Sequence, residues 1–485
     1  RAQTPEDLGG ALDALAQEPV LGTLVHDPAT LFLLPAETHD AFAGAERGAT
    51  PVPVGAATAE VDAALELFAA LLPSQERETQ VSAAEYLLAA SRSSSLERNP
   101  GRRMAVLVNG VVSLLGALRT AMHRGGAARS AAGFANERVN TAVRQLAHAA
   151  LLQGDAQLRG AAGEMYGRLA AVAGSHALSA QMHFLLEQIV GNRNADARAS
   201  CALAAGQLYR LVGGLNASPL TRTVSSLLLS LARDAHPSVH YHALEALHMV
   251  VDAAGLGYQP YVSSTLGLLV QLYAMATHEP EGGSAGSANL RVSLPVYASI
   301  ARVLGALLGV LGADLRERGA TRRLVHALLR QLALDHAAGA ACVAEAVRAL
   351  ERLALVVPET LEHPDWARTL RALLHSDERT LQHVAVSAYA QMAQRGAAWL
   401  TRHGGVGLLR ALLLLHDRDP SQAGVRTLVL AWIQHSARAA PLVWVDVCRA
   451  AVLAPEAFGS AGAGSGATPG PTTSAPDAAP EEEAL

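Results

Sequence analysis

The sequence predicts an all-α fold built as a solenoid of antiparallel helix pairs. Two observations carry that prediction: an aliphatic, helix-favouring composition and a unit that recurs about every 40 residues. Hydrophobic residues are 50% of the 485-residue chain but aromatics only 4%, so the core must be aliphatic. Alanine and leucine, both strong helix formers, supply it, and runs of strand-favouring residues are scarce.

The recurring unit is a polar turn with an aspartate followed by a small-residue-rich amphipathic helix. It reads QGDAQLRGAAGEM, RNADARASCALAAGQL, RDAHPSVHYHALEAL and HSDERTLQHVAVSAYAQM, with marker residues Asp155, Asp196, Asp234 and Asp377 and weaker ones at Asp335 and Asp419. Separations of 41 (Asp155 to Asp196), 38 (Asp196 to Asp234), 42 (Asp335 to Asp377) and 42 (Asp377 to Asp419) follow, and the 101 residues from Asp234 to Asp335 fit two units plus an inserted loop. A period of about 40 marks HEAT and armadillo arrays, one helix pair per repeat. Apolar stripes keep register across units: Cys201, Ala205, Leu208 and Val212 follow Asp196 at the same offsets as Val239, Ala243, Ala246 and Val250 follow Asp234. An aspartate ahead of a helix can accept from orphan N–H groups of the first turn. Pro237 suits a first turn, where its missing N–H costs nothing.

Breaks between helices are expected at Gly213-Gly214, Gly255-Leu256-Gly257 and His403-Gly404-Gly405. Thr4-Pro5-Glu6-Asp7 reads as a helix start, and residues 43–56 as a connector. The expected organisation is therefore an N-terminal helical segment and connector at 1–56 and a repeat solenoid at 57–454. Residues 279–289 form a Gly/Ser-rich loop insertion, and 455–485 a disordered, acidic, low-complexity tail. The chain opens on Arg1 rather than Met, with no signal peptide, and is read as a fragment of a longer protein.

Function classes narrow by chemistry. All 38 cations are arginine, so a P-loop lysine or a Schiff base has no residue to carry it. A net charge of −5 offers no basic field for nucleic acid. Cys201, Cys342 and Cys448 are far apart in apolar helical patterns and read as reduced core thiols. The longest nearly uncharged apolar stretch, Val303 to Ala313, falls short of the roughly 20 residues of a membrane span.

Four histidines, His236, His240, His242 and His248, lie close together in HPSVHYHALEALH. His236 belongs to the turn, and His240 and His242 point to different faces, so packed or solvated imidazoles are expected rather than a metal site. The glycine-rich 125–133 lacks a preceding strand and a Gly-Lys-Ser/Thr ending, and reads as a connection. A Gly-x-Ser-x-Gly match, Gly282-Gly283-Ser284-Ala285-Gly286, falls inside the Gly/Ser-rich 279–289 loop and not on a strand-to-helix elbow. The acids near Glu279 and Glu281 and at Glu481-Glu482-Glu483 lie in loops with nothing to desolvate them. No catalytic, cofactor-binding or metal-ligating residue is therefore assigned, no cofactor is expected, and the chain is read as a non-enzyme whose partner-binding residues are unknown.

The run from Asn194 to Tyr273 resembles the large HEAT-repeat proteins that accompany the clathrin adaptor of the trans-Golgi network, the fungal Laa family and its animal relative, HEAT repeat-containing protein five. LYRLVGGL, HALEALHMVVDAAG and GYQPYVSSTLGLL carry the resemblance. Similar stretches extend it over about Ala57 to Ala454. The 279–289 insertion and the acidic tail depart from the family, whose members are several times longer. The resemblance implies a cytoplasmic scaffold at trans-Golgi network, endosomes and clathrin-coated vesicles. It further implies protein partners, the Golgi/endosomal clathrin adaptor complex among them, and membrane contact only through those partners. Repeat architecture alone leaves a nuclear transport receptor or a phosphatase scaffold as the alternative. Gly213 and Gly214 match the family's pattern, where a helix-ending turn at positive φ is expected. In the tail, Phe458-Gly459 is followed by Ser460 rather than an acidic residue. It therefore misses the aromatic-Gly-acidic motif of adaptor-ear ligands.

Overall fold

The computed structural model describes residues 56–93, 100–123, 134–278, 296–334, 339–357, 364–420, 422–438 and 441–453. The expectations on residues 1–55, 125–133, 279–289 and 455–485, and on Asp335, lie outside the described residues. All regular elements among the described residues are helices. The chain divides into two compact units, Arg1–Gln391 and Met392–Leu485.

In the first unit the helices are α1 (Ala56–Leu71), α2 (Arg77–Ser91), α3 (Pro100–His123), α4 (Glu137–Leu151), α5 (Ala156–Ala173), α6 (Ser175–Gly191) and α7 (Ala195–Val212). They continue with α8 (Thr221–Leu231), α9 (Pro237–Ala254), α10 (Val262–His278), α11 (Val296–Leu311), α12 (Gly319–Leu334), α13 (Ala340–Val356), α14 (Pro364–Leu374) and α15 (Arg379–Arg395), whose last turn crosses the division. They form two rows. Odd-numbered helices α1 to α13 pack each against the next, α7 between α5 and α9, α11 between α9 and α13. Helices α2, α4, α6, α8, α10 and α12 each lie against the odd-numbered helix that follows. This is the helix-pair solenoid that the 40-residue period predicts.

Small residues let the odd row stack. Gly206 of α7 faces Ala246 of α9 so closely that an added Cβ would lie 2.6 Å from the Ala246 Cα. Cys201, Ala205, Leu208, Val239, Ala243, Ala246 and Val250 are buried as the stripe predicts, while Val212, at the end of its helix, is half-buried. At about 25 cal/mol per Å² of apolar surface, each buried leucine contributes roughly 2 kcal/mol. The few aromatics fill the largest sites: Phe68, Phe134, Tyr166, Tyr209, Tyr258 and Trp366 are all fully buried.

The marker aspartates do not share one role. Asp155 caps α5, accepting from the Leu158 N–H at 2.7 Å. Before α7 the cap is Asn194, which accepts from the Asp196 N–H at 2.9 Å, so Asp196 already lies in the first turn. Before α9 the N-cap residue is His236, and Asp234 accepts its N–H while its other oxygen takes Arg198 of the preceding unit at 2.8 Å. Before α15 it is Ser376 Oγ, not Asp377, that accepts the Glu378 N–H. The register survives because the turns are rich in cap-capable side chains, which substitute for one another within two positions. Pro237 opens α9 as expected.

Helix-ending glycines separate two physical requirements. Gly213, at φ +88°, ends α7 in a conformation that side chains resist. Gly214 does not have positive φ, contrary to expectation. Its need is space, because an added Cβ would collide with the Ala253 carbonyl of α9.

In the second unit α16 spans Ala397–Arg418, kinked at Gly405 (φ +49°), followed by α17 (Ala423–Ser436) and α18 (Pro441–Leu453). Asp419 ends α16 rather than starting α17. Trp432 is buried, donating to Thr401 Oγ1 at 2.9 Å, and Trp444 donates to Ser436 Oγ at 2.8 Å.

Among the described residues two helices are long and apolar enough to cross a membrane, at Arg102–Met122 and Val296–Arg316, which the count of uncharged residues alone missed. Their apolar windows are 83% and 67% buried inside the protein, so packing in the odd row accounts for their composition.

Candidate interaction surface

The odd row carries a lane of charge in two chains, one joining α3 to α5 and one joining α9, α11 and α13. Arg119 of α3 grips Glu164 of α5 with Nε at 2.8 Å and a terminal nitrogen at 2.6 Å, and Arg168 donates to the same carboxylate at 2.7 Å. Further along, Glu245 of α9 accepts from Ser299 Oγ at 2.5 Å and Arg302 at 2.7 Å, both on α11. Arg302 reaches on to Glu345 of α13 at 3.3 Å, and Arg348 closes the chain at 2.7 Å. The side chains of Arg119, Glu164, Arg302, Glu245 and Glu345 are between 8% and 16% exposed, so these pairs are tied down rather than loosely solvated. Burial opposes the charge on Arg302, but Glu245 and Glu345 outweigh it and hold its pKa above the ordinary arginine value. Glu164 and Glu245 each accept from two donors, and Glu345 accepts from Arg348 while pairing with the Arg302 charge. Sequence reasoning did not find this lane, whose cross-helix partners are 43 to 57 residues apart, and the residue types alone look like ordinary helix-surface charge.

The histidines expected to be packed or solvated are so. His236 sits at a helix N-cap, and His240 and His248 are buried. His242 hydrogen-bonds the Ser238 carbonyl through Nδ1 at 2.7 Å. Burial lowers the pKa of His240 and of His242. No group of three or more metal-ligating side chains occurs among the described residues. A different histidine is more perturbed. His148 stacks on Phe184 at 3.5 Å between ring centres and meets the Tyr166 hydroxyl at 3.0 Å, and Tyr166 donates to the Gln181 carbonyl. Burial, then the nearby Arg144, lowers His148 to about 4, so it is a neutral packing residue at pH 7.

Two thiols are chemically quiet. Cys201 is buried and pushed up to about 12 by burial, and Cys342 is buried with its Sγ–H directed at the Leu332 carbonyl. Cys448 corrects the expectation of a core thiol: it is exposed, on α18 beside exposed Leu442 and Val445. Exposed leucines also mark one end of the odd row, Leu215 after α7 and Leu256 after α9, at 88% and 75%.

The arrangement fastens helices to one another and presents an extended, helix-lined surface.

No protein-family model matches the chain. Protein SWEETIE of Arabidopsis thaliana is 23% identical over 316 residues, which are 64% of this chain and 13% of that protein. A triple mutant of Kap121p is similar in structure, at a TM-score of 0.57 and 14% identity over 93% of this chain and 41% of that one. Kap121p bound to Pho4p is similar at a TM-score of 0.55 and 11% identity, over 91% of this chain and 42% of that one. The chain thus spans 13% of the length of SWEETIE and 41–42% of the two Kap121p chains. These likenesses and the two packed rows establish one conclusion: the chain is an all-α solenoid of the HEAT/armadillo-repeat type.

Proposed function

We propose that this chain is part of a non-catalytic scaffold for other proteins, working in clathrin-adaptor-dependent traffic between endosomes and the trans-Golgi network. The scaffold reading rests on the use made of the charged residues. Glu164, Glu245, Arg302 and Glu345 are spent on joining neighbouring repeats, leaving a long row of helices suited to extended protein partners.

The adaptor reading rests on the stretch from Asn194 to Tyr273. Its motif residues form one interlocked unit: Gly206 against Ala246, Gly214 against Ala253, Tyr209 with Thr221 at 2.6 Å, and Tyr258 with Thr265 at 2.9 Å. Such a unit is what a shared family motif would preserve. Membrane residence is then borrowed from the partner, because the two apolar helices are used inside the fold. The protein is placed by this reading in the cytoplasm, on trans-Golgi and endosomal membranes through the adaptor.

Imaging tests it. The full-length protein is expected in adaptor-positive puncta that disperse when the adaptor is depleted. Puncta that persist without the adaptor would refute the proposal, and nuclear-envelope staining would favour the nuclear transport alternative.

A further inference from the structure

One half-buried acid stands outside both ion-pair chains. Glu351 lies on α13, and its Oε2 is 3.5 Å from the Nε2 of Gln391 on α15. Its other oxygen, Oε1, is buried with no hydrogen-bond partner among the described residues, and the same holds for Oε1 of Gln391. Two side chains in contact thus each bury an acceptor that lacks a donor. An ionised Glu351 cannot supply one, whereas the carboxylic acid can.

We propose that the joint between α13 and α15 is a proton-operated switch, closed when Glu351 is protonated and loosened when it ionises.

The surrounding charges leave Glu351 without a dedicated counter-ion. On its own helix Arg348 is engaged by Glu345 at 2.7 Å, and Arg352 lies 3.8 Å from Asp252 of α9. From α11, Arg302 is held between Glu245 and Glu345. From the turn before α12, Arg316 donates to the Val356 carbonyl and Asp314 pairs with Arg318. On α12, His326 accepts from Trp366. From α15 come Ser387 and His383, and burial, then Arg348, lowers the pKa of His383. Burial raises Glu351 to about 7, against the pull of Ser387 and Arg348. The switch therefore operates around neutral pH. An opened joint exposes an ordinary carboxylate, so the closed form binds the extra proton and is lost as pH rises through about 7.

Hydrogen exchange on the whole chain, corrected for intrinsic rates, tests this. Between pH 6 and pH 8 the protection of α15 should fall about tenfold relative to α7, as follows from an open value near 4.5 and a closed value near 7. Glu351→Gln supplies a donor at every pH and should abolish the dependence, while His383→Gln should keep it. A pH-independent α15 in the wild type would overturn the proposal, as would a dependence that survives Glu351→Gln or is lost in His383→Gln. A second readout needs no variant. The infrared band of a protonated buried carboxyl should be present at pH 6 and gone by pH 8, and its absence at pH 6 would equally overturn the switch.

Discussion

Arg302 is the point at which the odd row is most sensitive to a single change. It joins three helices, holding Glu245 at 2.7 Å and Glu345 at 3.3 Å, with only 16% of its side chain exposed. In Arg302→Met the volume is roughly kept but both carboxylates lose their shared partner. Removing one member of a buried pair costs about 3–5 kcal/mol. Here Ser299 still serves Glu245 and Arg348 still serves Glu345, which places the loss near the lower end, about 3 kcal/mol. Repeat arrays unfold by nearest-neighbour terms, so the loss should be local rather than uniform. Urea denaturation followed by circular dichroism should show a shifted transition, and hydrogen exchange should place the lost protection in α9, α11 and α13. Adding Glu245→Gln should recover part of the loss, because the stranded charge is gone. The Arg138–Glu85 pair, 2.8 Å long but 59% and 44% exposed, is the control, and Arg138→Ala should leave the transition unmoved. An Arg302→Met protein that unfolds with the wild type, or loses protection in α3 and α5 instead, would refute the reasoning.

Other expected outcomes test separate parts of the structure. Gly214→Ala should destabilise by about 1–3 kcal/mol in denaturation through overpacking against the Ala253 carbonyl, and Gly213→Ala by about 1–2 kcal/mol through its positive φ. A maleimide should label Cys448 quickly in the native protein while Cys201 and Cys342 react only after unfolding, and equal labelling of all three would contradict the burial described. His148 carries a lowered pKa, so the unfolded chain binds its proton more tightly. Its contribution should be present above about pH 6.5 and lost as pH falls towards about 4, by on the order of 2 kcal/mol, and His148→Gln should flatten that part of the acid-stability curve.

What could be read from the sequence was what repeats. Cys201, Ala205 and Leu208 share offsets with Val239, Ala243 and Ala246 because each stripe packs on the next, and that periodicity is visible without coordinates. The caps were legible only as a region: in Arg193-Asn194-Ala195-Asp196 two residues can accept the same N–H groups, and backbone geometry selects Asn194. The charge lane was hidden because Arg119 and Glu164, or Arg302 and Glu345, meet across repeats, where spacing along the chain does not specify which side chain faces which. Gly214 was misread for a related reason: a glycine needed for a neighbour's approach looks the same as one needed for its own φ. Cys448 has the apolar surroundings of a core thiol, yet it lies on the face of α18 that carries exposed Leu442 and Val445.

The proposed role of this solenoid is to serve protein partners of the clathrin-adaptor machinery. Affinity purification of the full-length protein under mild cross-linking, with mass spectrometry of what accompanies it, tests that claim most directly. Subunits of the Golgi/endosomal clathrin adaptor should be recovered, and should be lost when the Asn194–Tyr273 segment is replaced by repeats from an unrelated solenoid. Recovery of nuclear transport or phosphatase components alone, with no adaptor subunit at any level, would contradict it.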